Sequence, residues 1–145
     1  MTTYFDSSVI LSILLRDTRS KTAVALWQEH HVRLTSFLTE LECVTTLRRV
    51  RLQYRASLPV SWLTEMEAEL SNFLEEVSIH KIDESVCEKI RYEKKLEGCR
   101  TLDTIHLGTA LLFKDAADAI EVCTFDKKMA RLAKELGFPV VPENE

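Results

Sequence analysis

Apolar and polar positions along this chain follow two rhythms, and the switches between them mark its elements. Thr3-Tyr4-Phe5 is a short strand-prone run, and Asp6-Ser7-Ser8 then offers side-chain oxygens that cap a helix beginning near Val9. A helix is predicted over Ser20 to His31, with Ala23, Leu26 and Trp27 on its apolar face, followed by a strand over Val32 to Ser36. From Phe37 the pattern turns helical: Leu38, Leu41, Val44 and Leu47 recur three apart until Ser57-Leu58-Pro59 breaks the run. A second helix runs from Val60 to about Val77 with Trp62, Met66, Leu70, Phe73 and Leu74 inward, so the two helices have surface enough to pack as a pair. Ser78 to Ile82 alternates as a strand does, and Asp83-Glu84-Ser85 opens a helix expected to end around Gly98. The most apolar helix begins at Thr101 and carries Leu102 to Phe113. Glu121 to Phe125 reads as a strand, Asp126 to Leu136 as a helix stopped by Gly137, and Pro139 to Val141 as a short last strand.

Strands alternating with helices predict a parallel sheet covered on both faces, an α/β fold built as a three-layer α/β/α sandwich. At 145 residues, 46% of them hydrophobic and 29% charged, the chain has the bulk and composition of one domain, placed at 1–142 with a tail at 143–145. The apolar run from Val9 to Leu15 is too short to span a bilayer and no basic stretch precedes it, so a cytoplasmic protein without a membrane partner is expected. Cys43, Cys87, Cys99 and Cys123 form no CxxC pair, which points to reduced, mostly buried thiols rather than a zinc site. A net charge of -4 argues against gripping nucleic acid by overall charge, although local basic patches remain open. With only Gly98, Gly108 and Gly137, no glycine-rich phosphate cradle can be built.

The candidate chemistry lies in the acids. Asp126 follows Val122-Cys123-Thr124-Phe125 much as Asp6 follows Thr3-Tyr4-Phe5, so each carboxylate stands just past a strand and at the start of a helix. In a parallel sheet those two positions share the carboxyl edge, where ligands of open α/β sheets bind. Asp103 opens the most apolar helix, where it either complements the helix dipole or serves a site, and the small residues Gly108 and Ala110 would let that helix approach the sheet closely. Glu42 sits one step off the apolar stripe of its helix, with Glu40 turned further away; a solvated helix glutamate is the plain alternative for either. For Asp6, the plain alternative is a helix cap.

Four segments carry a resemblance. Phe5-Asp6-Ser7-Ser8, Thr39-Glu40-Leu41-Glu42, Arg100 through Ala110 and Thr124-Phe125-Asp126-Lys127-Lys128 resemble, in order, the four acidic motifs of the PIN-domain nucleases. Within that family the likeness is to the VapC toxins of bacterial and archaeal toxin–antitoxin pairs, and it runs from Met1 to about Pro142. Gly108 stands where Ala is more usual, and the helix from Val60 to Val77 looks like an insert; neither touches an acid. The resemblance implies metal-dependent hydrolysis of RNA phosphodiesters, a homodimer, and a small antitoxin partner that inserts residues toward the acidic pocket. Asp6 and Asp103 are expected as primary ligands of Mg²⁺ or Mn²⁺, Glu42 as a ligand or water-orienting group, and Asp126 as a supporting ligand.

Elementary electrostatics asks for the same cation, because three or four carboxylates converging within a few ångströms repel unless some are protonated or a hard dication sits among them. Ser7 and Thr124 are near enough in sequence to hydrogen-bond the acids, and His106 lies one turn from Asp103, where the two could meet on one helix face. Lys127, Lys128, Arg131 and Lys134 follow Asp126 as candidate RNA contacts; Arg48, Arg49, Arg51 and Arg55 follow Glu42 and suit RNA or a protein interface. Two other classes stay open: a phosphotransfer enzyme using Asp6 as nucleophile, disfavoured by Ser8 where a phosphatase wants a second Asp, and a catalytically silent PIN-like module that only binds RNA or protein.

Overall fold

The computed structural model describes residues 1–116 and 119–143. Its sheet has five parallel strands, β1 (Thr2–Phe5), β2 (Arg33–Ser36), β3 (Ser78–His80), β4 (Ile120–Cys123) and β5 (Val140–Val141), in the order β3-β2-β1-β4-β5. Between them run α1 (Ser7–Leu15), α2 (Ser20–Glu29), α3 (Phe37–Gln53), α4 (Trp62–Glu75), α5 (Glu84–Tyr92), α6 (Thr101–Ala116) and α7 (Lys127–Glu135). The first strand is thus central, paired with β2 on one side and with β4 on the other.

Side-chain alternation on β1 divides the core in two. Tyr4, in register with Leu34 and Val122, faces the cluster made by Leu107, Ala110 and Leu111 of α6 and Met129, Ala130 and Ala133 of α7. Phe5, in register with Cys123, faces the opposite cluster of Val9, Ile10, Leu14, Trp27, Leu47, Met66 and Leu70 from α1 to α4. Helices therefore cover both faces of a parallel sheet, the α/β sandwich that the alternation of elements predicts. No helix among the described residues is long and apolar enough to cross a membrane.

Several details depart from the pattern expected from sequence. The helix expected to reach Gly98 ends at Tyr92, because Glu93 takes extended backbone angles and accepts the Lys95 amide to start a separate 3₁₀ turn, Lys94–Leu96. On α3 the inward stripe is Leu38, Thr39, Cys43 and Leu47, while Leu41 is exposed. Thr124 and Phe125 lie beyond the end of β4, where the chain turns into α7. Gly108 brings α6 close to α5 rather than to the sheet: a Cβ there would stand 2.9 Å from Ile90 Cγ1. All four cysteines are free; Cys43 and Cys123 are buried as expected, but Cys87 is exposed. Of the tail assigned to 143–145, only Glu143 lies within the described residues.

Candidate active site

The carboxyl ends of β1 and β4 sit side by side, Phe5 opposite Cys123, so Asp6 and the Thr124–Asp126 turn meet at one edge of the sheet. Asp6 is the N-cap of α1 and is buried at 4% exposure. Its Oδ1 accepts the Ser8 amide at 3.0 Å and the Ser8 hydroxyl at 2.5 Å; its Oδ2 accepts the Thr124 hydroxyl at 2.5 Å. The two hydroxyls also tie the second junction down, since Ser8 Oγ accepts the Phe125 amide at 2.9 Å and Thr124 Oγ1 accepts the Asp126 amide at 3.0 Å. All of these partners of Asp6 are neutral. Burial, the largest cause, raises its carboxyl pKa above the ordinary range, against the lowering effects of His106 and the Ser8 and Thr124 hydrogen bonds.

Glu42 reaches the same edge from the second turn of α3. Its Oε1 accepts the Ser7 hydroxyl at 3.3 Å and lies 2.5 Å from His106 Nε2, while His106 Nδ1 lies 2.7 Å from the Tyr4 hydroxyl. The thiol of neighbouring Cys43 feels both acids: burial pushes its pKa up, and the charges of Glu42 and then Asp6 push it further. Ser7 and Thr124 therefore do hydrogen-bond acids, as their sequence positions suggest. The meeting of His106 with Asp103 does not occur; the ring turns from α6 to Tyr4 and Glu42, and Asp103 instead pairs with Lys128 Nζ at 3.3 Å.

Asp126 is exposed and serves as the N-cap of α7, its Oδ1 accepting the Lys128 and Met129 amides at 2.9 and 3.1 Å. Thr124 links the Asp6 carboxylate to the Asp126 amide, Lys128 meets Asp103 with its side chain and Asp126 with its amide, and His106 ties Glu42 to Tyr4. Among the described residues no group of three or more His, Cys, Asp or Glu side chains is set to hold a metal ion. Magnesium, however, binds through one or two carboxylates and completes its shell with water and substrate phosphate. A buried Asp6 whose bonded partners carry no charge, with Glu42 bonded to the adjacent Ser7, fits such an ion.

Two openings flank this edge. A cleft of about 360 Å³ beside Asp126 is lined by Arg19, Thr22, Thr124, Phe125 and Lys127, and one of about 370 Å³ beside Glu42 by Thr45, Thr46, Arg49 and Leu102. Arg19 stacks over the Phe125 ring at 5.2 Å and donates to the Phe125 carbonyl at 3.0 Å. Lys127, Lys128 and Arg131 are exposed along α7, and Arg48, Arg49, Arg51 and Arg55 on and after α3. Tyr4, Ser8 and Arg19 carry site contacts that sequence reasoning assigned to none of them. Ser8 could have been found from its place two residues after Asp6; for Tyr4, whose partner is 102 positions away, no local signal exists.

A parallel sandwich with Asp6 at the carboxyl end of its central strand belongs to the class of open α/β proteins whose ligands bind at that edge. The PIN domain model matches residues 3–135, and the chain belongs to the PIN domain family. No curated protein matches it by sequence. Its fold is similar to that of a chain in a toxin–antitoxin complex from Klebsiella pneumoniae, with 19% identity, 99% of this chain and 98% of that one covered, and a TM-score of 0.66. It is also similar to a chain of VapBC-1 from nontypeable Haemophilus influenzae, with 14% identity, 97% and 96% covered, and a TM-score of 0.62. A third similar structure is Mycobacterium tuberculosis VapC20, described as a sarcin-ricin loop cleaving toxin, with 18% identity, 94% and 95% covered, and a TM-score of 0.60.

Proposed function

We propose that this protein is a divalent-metal-dependent endoribonuclease and the toxin of a toxin–antitoxin pair, acting in the cytoplasm as a homodimer with a small antitoxin protein as its partner. The observation that carries the reading is Asp6, a buried carboxylate bonded only by neutral donors at the sheet edge where Glu42 also arrives. Membership of the PIN domain family supports nuclease chemistry, and the VapBC and VapC structures of the same fold support the antitoxin partner and RNA as substrate.

In this reading Asp6 and Asp103 hold Mg²⁺ or Mn²⁺, with Glu42 as a ligand or water-orienting group and Asp126 in support. When bound, the ion supplies Lewis acidity that neutralises charge on the scissile phosphate and makes an attacking water more acidic. Ser8 and Thr124 hold Asp6 in one rotamer through both of its oxygens, and Ser7 restrains Glu42. Lys127, Lys128 and Arg131 offer cations to the RNA backbone beside the cleft at Asp126. A covalent phosphoryl intermediate on Asp6 is disfavoured by Ser8, which stands where a phosphatase wants a second Asp.

Cleavage of RNA by the purified protein should require Mg²⁺ or Mn²⁺, stop on chelation, and be lost in Asp6→Asn and in Asp103→Asn. Cleavage surviving both substitutions would remove the proposal. One observation favours a second reading, a silent binding module: Asp103 is already paired with Lys128, and no acid triplet gathers among the described residues. Calorimetry showing no Mn²⁺ binding by the wild-type chain would favour it.

A further inference from the structure

Glu42 lies on a helix face that is partly open to solvent, yet its side chain is fixed from within the core. Two donors meet on a single oxygen: Ser7 Oγ at 3.3 Å and His106 Nε2 at 2.5 Å both address Oε1. Among the described residues, Oε2 has no hydrogen-bonded side-chain partner. His106 is itself only 3% exposed and is anchored at its other nitrogen by the hydroxyl of Tyr4, 1% exposed, at 2.7 Å. The rings of Tyr4 and His106 meet edge to face, with centroids 5.9 Å apart, which further fixes the imidazole plane.

We infer that Tyr4 and His106 form a positioning relay that holds Glu42 with Oε1 anchored and Oε2 free to face a cation or its water. The inference rests on the metal-dependent reading of this edge. Tyr4 has one hydroxyl proton to donate, and the Glu42 carboxylate can only accept. Donated to Nδ1, that proton leaves the imidazole hydrogen on Nε2, where it points at Glu42. The core tyrosine thereby selects the tautomer, and the tautomer selects the glutamate's orientation. An unrestrained glutamate has three side-chain torsions to immobilise on binding; the relay removes that loss beforehand, as outer partners of metal ligands commonly do. His106 and Tyr4 act only through Glu42 and touch no reacting atom.

The test is Mn²⁺ affinity by calorimetry and electron paramagnetic resonance, with single-turnover RNA cleavage alongside, in wild type, H106L, H106Q, Y4F, E42Q and the H106L/E42Q pair. H106L should weaken Mn²⁺ binding about tenfold or more, the scale seen when an outer partner of a ligand is lost, and Y4F, one bond further from Glu42, about threefold. H106Q keeps an acceptor for Tyr4 and a donor for Glu42 and should recover to within about threefold of wild type, which a mere packing role for the ring would not allow. In the E42Q background, H106L should add less than about a twofold loss, because non-additivity identifies residues acting on one another. ¹⁵N spectra of the imidazole should show hydrogen on Nε2 in wild type. A wild type that binds Mn²⁺ and cleaves RNA while H106L matches it, or an imidazole without hydrogen on Nε2, overturns the relay and leaves the nuclease reading standing. A wild type that neither binds Mn²⁺ nor cleaves RNA overturns both.

Discussion

The two strand-to-helix junctions at the sheet edge are written alike and built differently. At both, an aspartate comes after the strand and caps the next helix. Asp6 ends the central strand, is buried, and gives both oxygens to side-chain or backbone donors. Asp126 lies past the Thr124-Phe125 turn that leaves β4, is exposed, and spends one oxygen on two helix amides. Depth in the sheet, not local sequence, separates a carboxylate that is strained by burial from one that is content in water. Both cap a helix, but only the first is held at a cost in desolvation.

The comparison can be broken by exchanging each acid for its amide. Asp6→Asn should reduce RNA cleavage about a thousandfold, on the scale of removing a preorganised electrostatic group, whereas Asp126→Asn should reduce it roughly tenfold, as loss of a supporting group does. Equal losses in steady-state rates would erase the distinction between the junctions. Asp126→Ala also removes the helix cap and should destabilise the fold by about 1 kcal/mol in urea titrations, while Asp126→Asn, which can still cap, should not.

Burial of Asp6 also sets a pH dependence. Burial raises the Asp6 pKa above its unfolded value, so the protonated form favours the fold. That contribution is complete below the unfolded carboxylate pKa of about 3.9, and it is lost as pH rises through the folded value. At neutral pH without divalent metal, Asp6→Asn should therefore melt higher than wild type, with the gap closing as pH falls toward about 4. Added Mn²⁺ should raise the melting temperature of wild type but not of the variant. A variant that melts lower than wild type at pH 7 would contradict the burial argument. The smallest effect is expected at Lys128, exposed and paired with Asp103. Lys128→Met should weaken RNA binding severalfold and reduce the slope of log affinity against log salt by about 1, if it meets a phosphate.

Much of the architecture is legible in the chain because the signals are local. Tyr4-Phe5, Val122-Cys123 and the helical stripes of α4 and α7 each carry their periodicity within a few residues. The end of α5 was not legible, since Glu93 breaks the helix by capping the 3₁₀ turn after it and nothing in the composition of 84–98 requires that. At the site, the acids and the roles of Ser7 and Thr124 could be read from motif and position. The partners of His106 could not: helix geometry puts it one turn from Asp103, but the tertiary fold offers it Tyr4 and Glu42 at shorter range. Leu41 looks like core by spacing and is exposed, because α3 turns Thr39 and Cys43 inward instead.

The crossed hydroxyls of Ser8 and Thr124, each serving Asp6 and a backbone amide of the second junction, join residues more than a hundred positions apart. A ribosome that has released only the first four-fifths of this protein has made Asp6 and Glu42 but not the stitch between the junctions, nor the strand β4 that lies beside β1. The edge as it stands in the folded protein is therefore complete only once the segment carrying β4 and Thr124 has been made.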